Sequence, residues 1–136
     1  MEQVFLDANV LFSAAYKKTR LRTLWNLPDV TLLTSSYAVA EAETNLAKER
    51  ASSLVELEQL LVQVTIVTTP KRQTLPLEIT LEKKDQPILL AAIDARATHL
   101  LTGDLKHFGH LFGVCVEGVL ILTPAQYFLS RNEKTP

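Results

Sequence analysis

Residues 84–108 read K-D-Q-P-I-L-L-A-A-I-D-A-R-A-T-H-L-L-T-G-D-L-K-H-F, a helix followed by a short strand and an acidic turn. Pro87 suits the first turn of a helix, where its missing N–H removes no hydrogen bond. Ile88, Ala91, Ala92 and Ala95 recur at helical steps and form one apolar stripe. Asp85 stands at the top of that stripe, and Asp94 falls about half a turn away, toward solvent. His99 to Gly103 is short, apolar and closed by glycine, which predicts a buried strand, and Asp104 follows it directly. A helix start and a strand end, each carrying a carboxylate, meet at the sheet edge where α/β folds place their ligands.

The same alternation extends outward. Val4, Phe5 and Leu6 predict a buried first strand over about residues 2–7, ending in Asp7. Helices are expected over roughly 9–17 and 20–27, the second stopped by Pro28. A strand at 30–34 leads into a long helix capped by Ser35 or Ser36 and running to about Arg50. A further helix begins near Ser52 or Ser53, and 64–67 is a third strand. Residues 70–76 read as loop, 77–83 as a short helix or irregular approach, and 107–118 as loop. A last strand spans 119–122, Pro124 opens a short final helix, and the polar tail 131–136 is expected to fray. Strands alternating with helices argue an α/β fold with a mainly parallel sheet and right-handed crossovers.

Composition sets broad limits. The 136 residues suit one core, so residues 1–130 are expected to be a single domain. The formal net charge of −1 gives no global basic field of the kind that advertises nucleic acid. That absence is weak evidence, because an acidic metal site lowers the net charge of any enzyme that carries one. Local basic clusters stand at Lys17, Lys18, Arg20 and Arg22, at Lys71 and Arg72, and at Lys83 and Lys84. Taken singly, each reads first as solvated surface. Cys115 is the only cysteine, so neither an internal disulfide nor a cysteine zinc site is available, and a reducing, cytoplasmic setting is expected. The first apolar run has no basic region before it and is interrupted by Asp7 and Asn9, so neither a secretory leader nor a membrane span is expected.

Asp7, Asp85 and Asp104 therefore sit at comparable places. In a parallel sheet all strand ends point one way, so Asp7 and Asp104 should approach each other. Clustered carboxylates repel, and a hard divalent cation offsets that repulsion directly. Oxygen ligands select Mg²⁺ or Mn²⁺, ions suited to phosphate substrates. Each residue also has a plainer reading: Asp85 as a helix cap and Asp104 as a turn residue. Asp7 is harder to dismiss, because a carboxylate closing an apolar strand is costly unless it is paired.

F-L-D-A-N-V-L at 5–11, A-V-A-E-A at 38–42, K-D-Q-P-I-L-L-A-A at 84–92 and L-L-T-G-D-L-K-H-F at 100–108 resemble the motifs of PIN-domain nucleases, in order and over nearly the whole chain. The resemblance implies a three-layer α/β/α sandwich around a central, mainly parallel sheet of four or five strands. It implies an acidic pocket holding one or two Mg²⁺ or Mn²⁺ ions and cleavage of RNA. Asp7, Glu41, Asp85 and Asp104 match the family's acidic quartet, and Asn9 and Thr102 its polar supports. Ser13, about one helical turn after Asn9, is a further support. Periodicity does not separate Glu41 from Glu43; the resemblance selects Glu41, and Asn45 lies four residues on along the same face. His107 has two readings, a phosphate contact beside Asp104 or a hydrogen bond within its loop. His99 and His110 read as structural. Lys106, Lys17, Lys18 and Arg20 are candidates to hold an RNA backbone. Trp25 and Tyr37 read as core or interface, and no stretch arranges aromatics for single-strand stacking.

Small PIN proteins of this size are often the toxin of a toxin–antitoxin pair. The resemblance therefore implies a ribonuclease toxin, often a homodimer, neutralised by a small antitoxin. The competing expectation is a non-catalytic PIN-fold module that binds RNA or protein, although such a scaffold gains nothing from repelling carboxylates. A phosphotransfer enzyme using Asp7 as nucleophile is disfavoured, because D-A-N at 7–9 lacks the second Asp of a D-x-D motif.

Overall fold

Val4, Phe5 and Leu6 are wholly buried in the first strand, β1 (Glu2–Leu6), which lies between two parallel neighbours and is apolar on both faces for that reason. The structure is a computed structural model and describes residues 1–68, 70 and 74–134. Lys71 and Arg72 lie outside the described residues. Among the described residues the order is β1, α1 (Ala8–Tyr16), a 3-10 segment (Arg20–Asn26), β2 (Val30–Ser35), α2 (Ser36–Glu49), α3 (Leu54–Leu61) and β3 (Val64–Val67). Then come α4 (Gln86–Asp94), β4 (His99–Leu101), α5 (Leu105–Phe108), β5 (Cys115–Val116), β6 (Val119–Leu122) and α6 (Pro124–Lys134).

The sheet order is β3-β2-β1-β4-β6-β5, parallel except for the β5–β6 pair. The chain first moves outward from β1 through β2 to β3, then jumps back across β1 to β4. Right-handed crossovers in opposite directions place α1, α2 and α3 on one face and α4 on the other, which gives the expected three layers. The direction reverses between β1 and β4, so the crevice at their carboxyl ends is the topological switch point. Leu6 pairs with Leu101, and the residues that follow each of them, Asp7 and Thr102, therefore emerge side by side.

Local chemistry accounts for most boundaries. Ser35 accepts a hydrogen bond from Ala38 N–H and caps α2. In α4, Ile88, Ala91 and Ala92 are buried and Asp94 is exposed, as the stripe requires. The helix expected over 20–27 is instead a 3-10 segment, and Leu27 is extended because Pro28 follows it. The loop expected at 107–118 holds the end of α5, a helix capped by Asp104, and the short strand β5. β5 turns into β6 through Glu117 and Gly118, both at positive φ, the backbone of a two-residue hairpin. This gives a sixth strand beyond the four or five expected. Of the tail 131–136, residues 131–134 continue α6, which ends at Lys134, and Arg131 donates to Glu2 Oε1 at 2.8 Å, while residues 135–136 lie outside the described residues. No helix among the described residues is long and apolar enough to cross a membrane.

Candidate metal centre

β1 ends at Leu6 and Asp7 is the N-cap residue of α1, so the Asp7 side chain lies under the start of a helix. Oδ1 accepts Ala8 N–H at 2.6 Å, while Oδ2 accepts the Thr102 hydroxyl at 2.8 Å and Asn9 Nδ2 at 3.2 Å. Asp7 is only 4% exposed. Burial pushes its pKa up to about 6, the bonds from Thr102 and Ala8 oppose that shift, and the charges of Glu41 and Asp85 add to it.

Asn9 and Thr102 tie the ends of β1 and β4 together. Asn9 Nδ2 also donates to Thr102 Oγ1 at 3.1 Å, and Asn9 Oδ1 accepts Gly103 N–H at 2.7 Å. A Cβ at position 103 would lie 3.4 Å from that same oxygen, a close contact. Thr102 Oγ1 further accepts Asp104 N–H at 3.2 Å. One hydroxyl thus links the backbone of Asp104 to the carboxylate of Asp7.

Asp104 caps α5 through Oδ1, which accepts His107 N–H at 3.1 Å. Its Oδ2 lies 2.9 Å from His107 Nδ1. The same ring nitrogen is 3.1 Å from Asp85 Oδ2. One N–H cannot point along both directions, and the hydrogen-bond geometry is met only toward Asp104. Asp85 Oδ2 is consequently buried with no hydrogen-bond donor. Nor does the Asp85 side chain cap α4, although it holds the cap position. Burial pushes its pKa up, His107 pulls it down and Asp104 pushes it up again.

Glu41 reaches the same pocket from α2. Burial raises its pKa first, followed by the charges of Asp85 and Asp104, with Lys84 opposing. Glu43 lines a separate recess with Leu54 and Leu57. Tyr37, which sequence reasoning left as core or interface, donates from its hydroxyl to the Lys84 carbonyl at 2.6 Å. It thereby fastens the start of α2 to the segment that presents Asp85. Its pKa is raised by burial and then by Glu41, Asp85 and Asp7. Nothing local in the sequence signals a bond between residues so far apart.

The donor set fits a hard divalent cation. Asp85, Asp104 and His107 offer ligand atoms within 4.8 Å of one another, and Asp85 keeps a buried oxygen without a donor. Ser13 is exposed on α1 and lines a groove with Asn9 and Glu41, away from the carboxylates' hydrogen bonds. Lys17, Lys18 and Lys106 are exposed. Arg20 is exposed, and its guanidinium lies 5.1 Å from the Phe128 ring centroid on α6. Trp25 is partly buried and donates to the Leu60 carbonyl. His110 Nε2 lies 2.7 Å from the Thr80 carbonyl, and His99 packs edge-on against Tyr127.

Comparison with known proteins bears on the fold and the family. The chain resembles a structure of VapBC2 from Rickettsia felis bound to a DNA fragment from their promoter, with TM-score 0.66 and 20% identity, over 89% of this chain and 98% of the other. It also resembles VapBC-1 from nontypeable Haemophilus influenzae, with TM-score 0.58 and 16% identity, over 90% and 98% of the two chains. At these identities the likeness concerns the fold. No curated protein matches it in sequence. The family model of the PIN domain matches residues 3–106, which takes in Asp7, Glu41, Asp85 and Asp104, and the chain belongs to the PIN domain family.

Proposed function

We propose that the protein is a metal-dependent endoribonuclease and the toxin of a toxin–antitoxin pair. The observation that carries the reading is the Asp85 oxygen buried without a donor in a pocket where Asp7, Glu41 and Asp85 all have raised pKa values. Such a pocket is unfavourable alone and favourable around a cation. Asp85 and Asp104, whose ligand atoms lie together with that of His107, would hold one Mg²⁺ or Mn²⁺ with Asp7 behind them, and Glu41 would serve a second ion or the attacking water. Bound there, a divalent ion supplies Lewis acidity toward water and toward the phosphoryl oxygens.

The chain's own residues do the rest. Thr102 and Asn9 fix the orientation of Asp7. The more exposed Glu41 carboxylate orients a water and accepts its proton, a role its raised pKa favours. Lys106, two residues on from Asp104, with Lys17 and Lys18, neutralises RNA phosphates. The toxin role is supported by PIN membership and by the VapBC complexes that share the fold. With it come a small antitoxin partner, a homodimer and a cytoplasmic site of action. The test is cleavage of RNA with Mn²⁺, with EDTA, and by Asp7→Asn and Asp104→Asn. Loss of cleavage in EDTA and in both variants is expected; unchanged cleavage in the variants assigns the activity to another site or a contaminant.

A further inference from the structure

The groove between α1 and α2 opens at the acidic pocket and runs away from it. It has a volume of about 500 Å³, with Asn9, Ser13 and Glu41 at the pocket end and Phe12 and Tyr16 farther along. Tyr16 also lines an adjoining cleft of about 420 Å³ with Lys17, Lys18 and Arg50. The two recesses therefore share Tyr16 as a common wall. From Asn9 to Tyr16 the helix advances about 10 Å.

The Phe12 and Tyr16 rings are stacked, 5.4 Å between centroids at 26°. The Arg50 guanidinium lies 5.0 Å from the Tyr16 centroid. Tyr16 is 37% exposed in spite of these neighbours. On the α2 wall, Lys48 and Glu49 offset each other, and Arg22 is held by the Ala14 carbonyl and Glu56. Lys17, Lys18 and Arg50 thus give the far cleft its positive charge, beyond a π-stack that starts beside the acidic site.

We propose that this groove is the binding track for single-stranded RNA next to the scissile phosphate, with Phe12 and Tyr16 as its base-stacking ledge and Lys17, Lys18 and Arg50 as its phosphate clamp. A base extends the stack or takes the place of Arg50 on Tyr16, which frees the guanidinium for a phosphate. Charge complementarity favours RNA: an acidic pocket repels the backbone unless cations draw it in close by. The proposal rests on the ribonuclease reading and adds where the strand lies.

The experiment compares two substrates with Mn²⁺ present: a short single-stranded RNA, and bis(p-nitrophenyl) phosphate, which is too small to span the groove. Tyr16→Leu and the pair Lys17→Ala/Lys18→Ala should each raise KM for RNA about tenfold, with kcat retained. Hydrolysis of the small ester should be unchanged. Tyr16→Phe, which keeps the ring, should restore the RNA KM. The lysine pair should lower the slope of log(kcat/KM) against log salt by about 1.4. Thermal melts check that each variant is folded, and the exposed lysines leave the core intact. Unchanged RNA KM in both Tyr16→Leu and the lysine pair overturns the track while the ribonuclease reading stands. If the variants keep the RNA KM and lose a bound protein partner, the groove is a protein site and the track is again overturned. If the wild type cleaves the ester and never RNA, the ribonuclease reading falls first and the track with it.

Discussion

The Thr102 hydroxyl donates to Asp7 Oδ2 at 2.8 Å and accepts the backbone N–H of Asp104, so one buried oxygen joins two carboxylate-bearing strand ends. Thr102→Val keeps the shape and removes that oxygen. Asp7 loses a donor, and the Asp104 N–H and one Asn9 hydrogen lose their acceptor. The variant should be about 1–3 kcal/mol less stable in urea unfolding. Its Asp7 pKa should rise further, because the bond that opposes burial is gone. An unchanged urea midpoint would mean that the bridge contributes nothing.

The pH dependence of the metal-free protein follows from Asp7. Its pKa is about 6 folded against the usual 3.8. Between those values the unfolded chain releases the proton that the folded one keeps, so stability is highest below pH 4 as far as this group is concerned. It declines as pH rises to 6, and above 6 the penalty is complete, roughly 3 kcal/mol. Asp85 and Glu41 shift in the same direction. Urea unfolding in EDTA across pH 4–7 should show this decline, and Asp7→Asn should flatten it. A wild-type curve that rises over the same range would contradict the buried charge.

Glu41 and Glu43 give a paired comparison on one helix. Glu41 feels Asp85 and Asp104, whereas Glu43 sits in a recess with Leu54 and Leu57. Glu41→Gln should lower the rate of RNA cleavage about 10²-fold or more, the usual range for a lost proton acceptor. Glu43→Gln should leave it unchanged. Equal losses in both would place the acidic requirement on the helix surface in general.

The strand-end carboxylates were legible in the sequence because a parallel sheet aligns every carboxyl end, so Asp7 and Asp104 had to share an edge. The side-by-side emergence of Asp7 and Thr102 was less so. It depends on β4 crossing back to lie beside β1, a strand order that periodicity does not encode. Asp85 misleads in the other direction: Asp at a helix start normally caps, and only the packing around His107 turns its side chain inward. The Phe12–Tyr16 pair was missed by the expectation that no stretch arranges aromatics for stacking, although aromatics four apart on one helix are a signal. The short strand β5 had almost none beyond the glycine of its turn. At the end of α6, Glu2 on β1 supplies Arg131 with an anchor that no local rule foresees.

That anchor makes its own prediction. Tyr127 is fully buried, and its hydroxyl donates to Glu2 Oε1, the oxygen that Arg131 also engages at 2.8 Å. Tyr127→Phe and Arg131→Ala should each lower stability by about 1 kcal/mol. Because both act on one carboxylate, the double variant should fall short of additivity. Truncation before Arg131 should lower the melting temperature in calorimetry. A truncated chain that melts with the full one would mean that the anchor contributes nothing.

Asp85→Asn separates folding from metal binding. In the metal-free protein Asp85 Oδ2 is buried without a donor, and the carboxylate faces Asp104. Replacing it with a neutral amide removes that repulsion and brings an N–H₂ group able to donate to neighbouring carboxylates. In EDTA the variant should therefore equal or exceed the wild type in stability. Added Mg²⁺ or Mn²⁺ should reverse the order. The wild type gains about 2.7 kcal/mol when the ion stands at 100 times its Kd, while the variant, short of one anionic ligand, gains much less at the same concentration. Thermal melts with EDTA, Mg²⁺, Mn²⁺ and Zn²⁺ read both effects on one sample. A variant that loses stability in EDTA and still responds fully to Mn²⁺ would make Asp85 a structural residue and move the cation elsewhere.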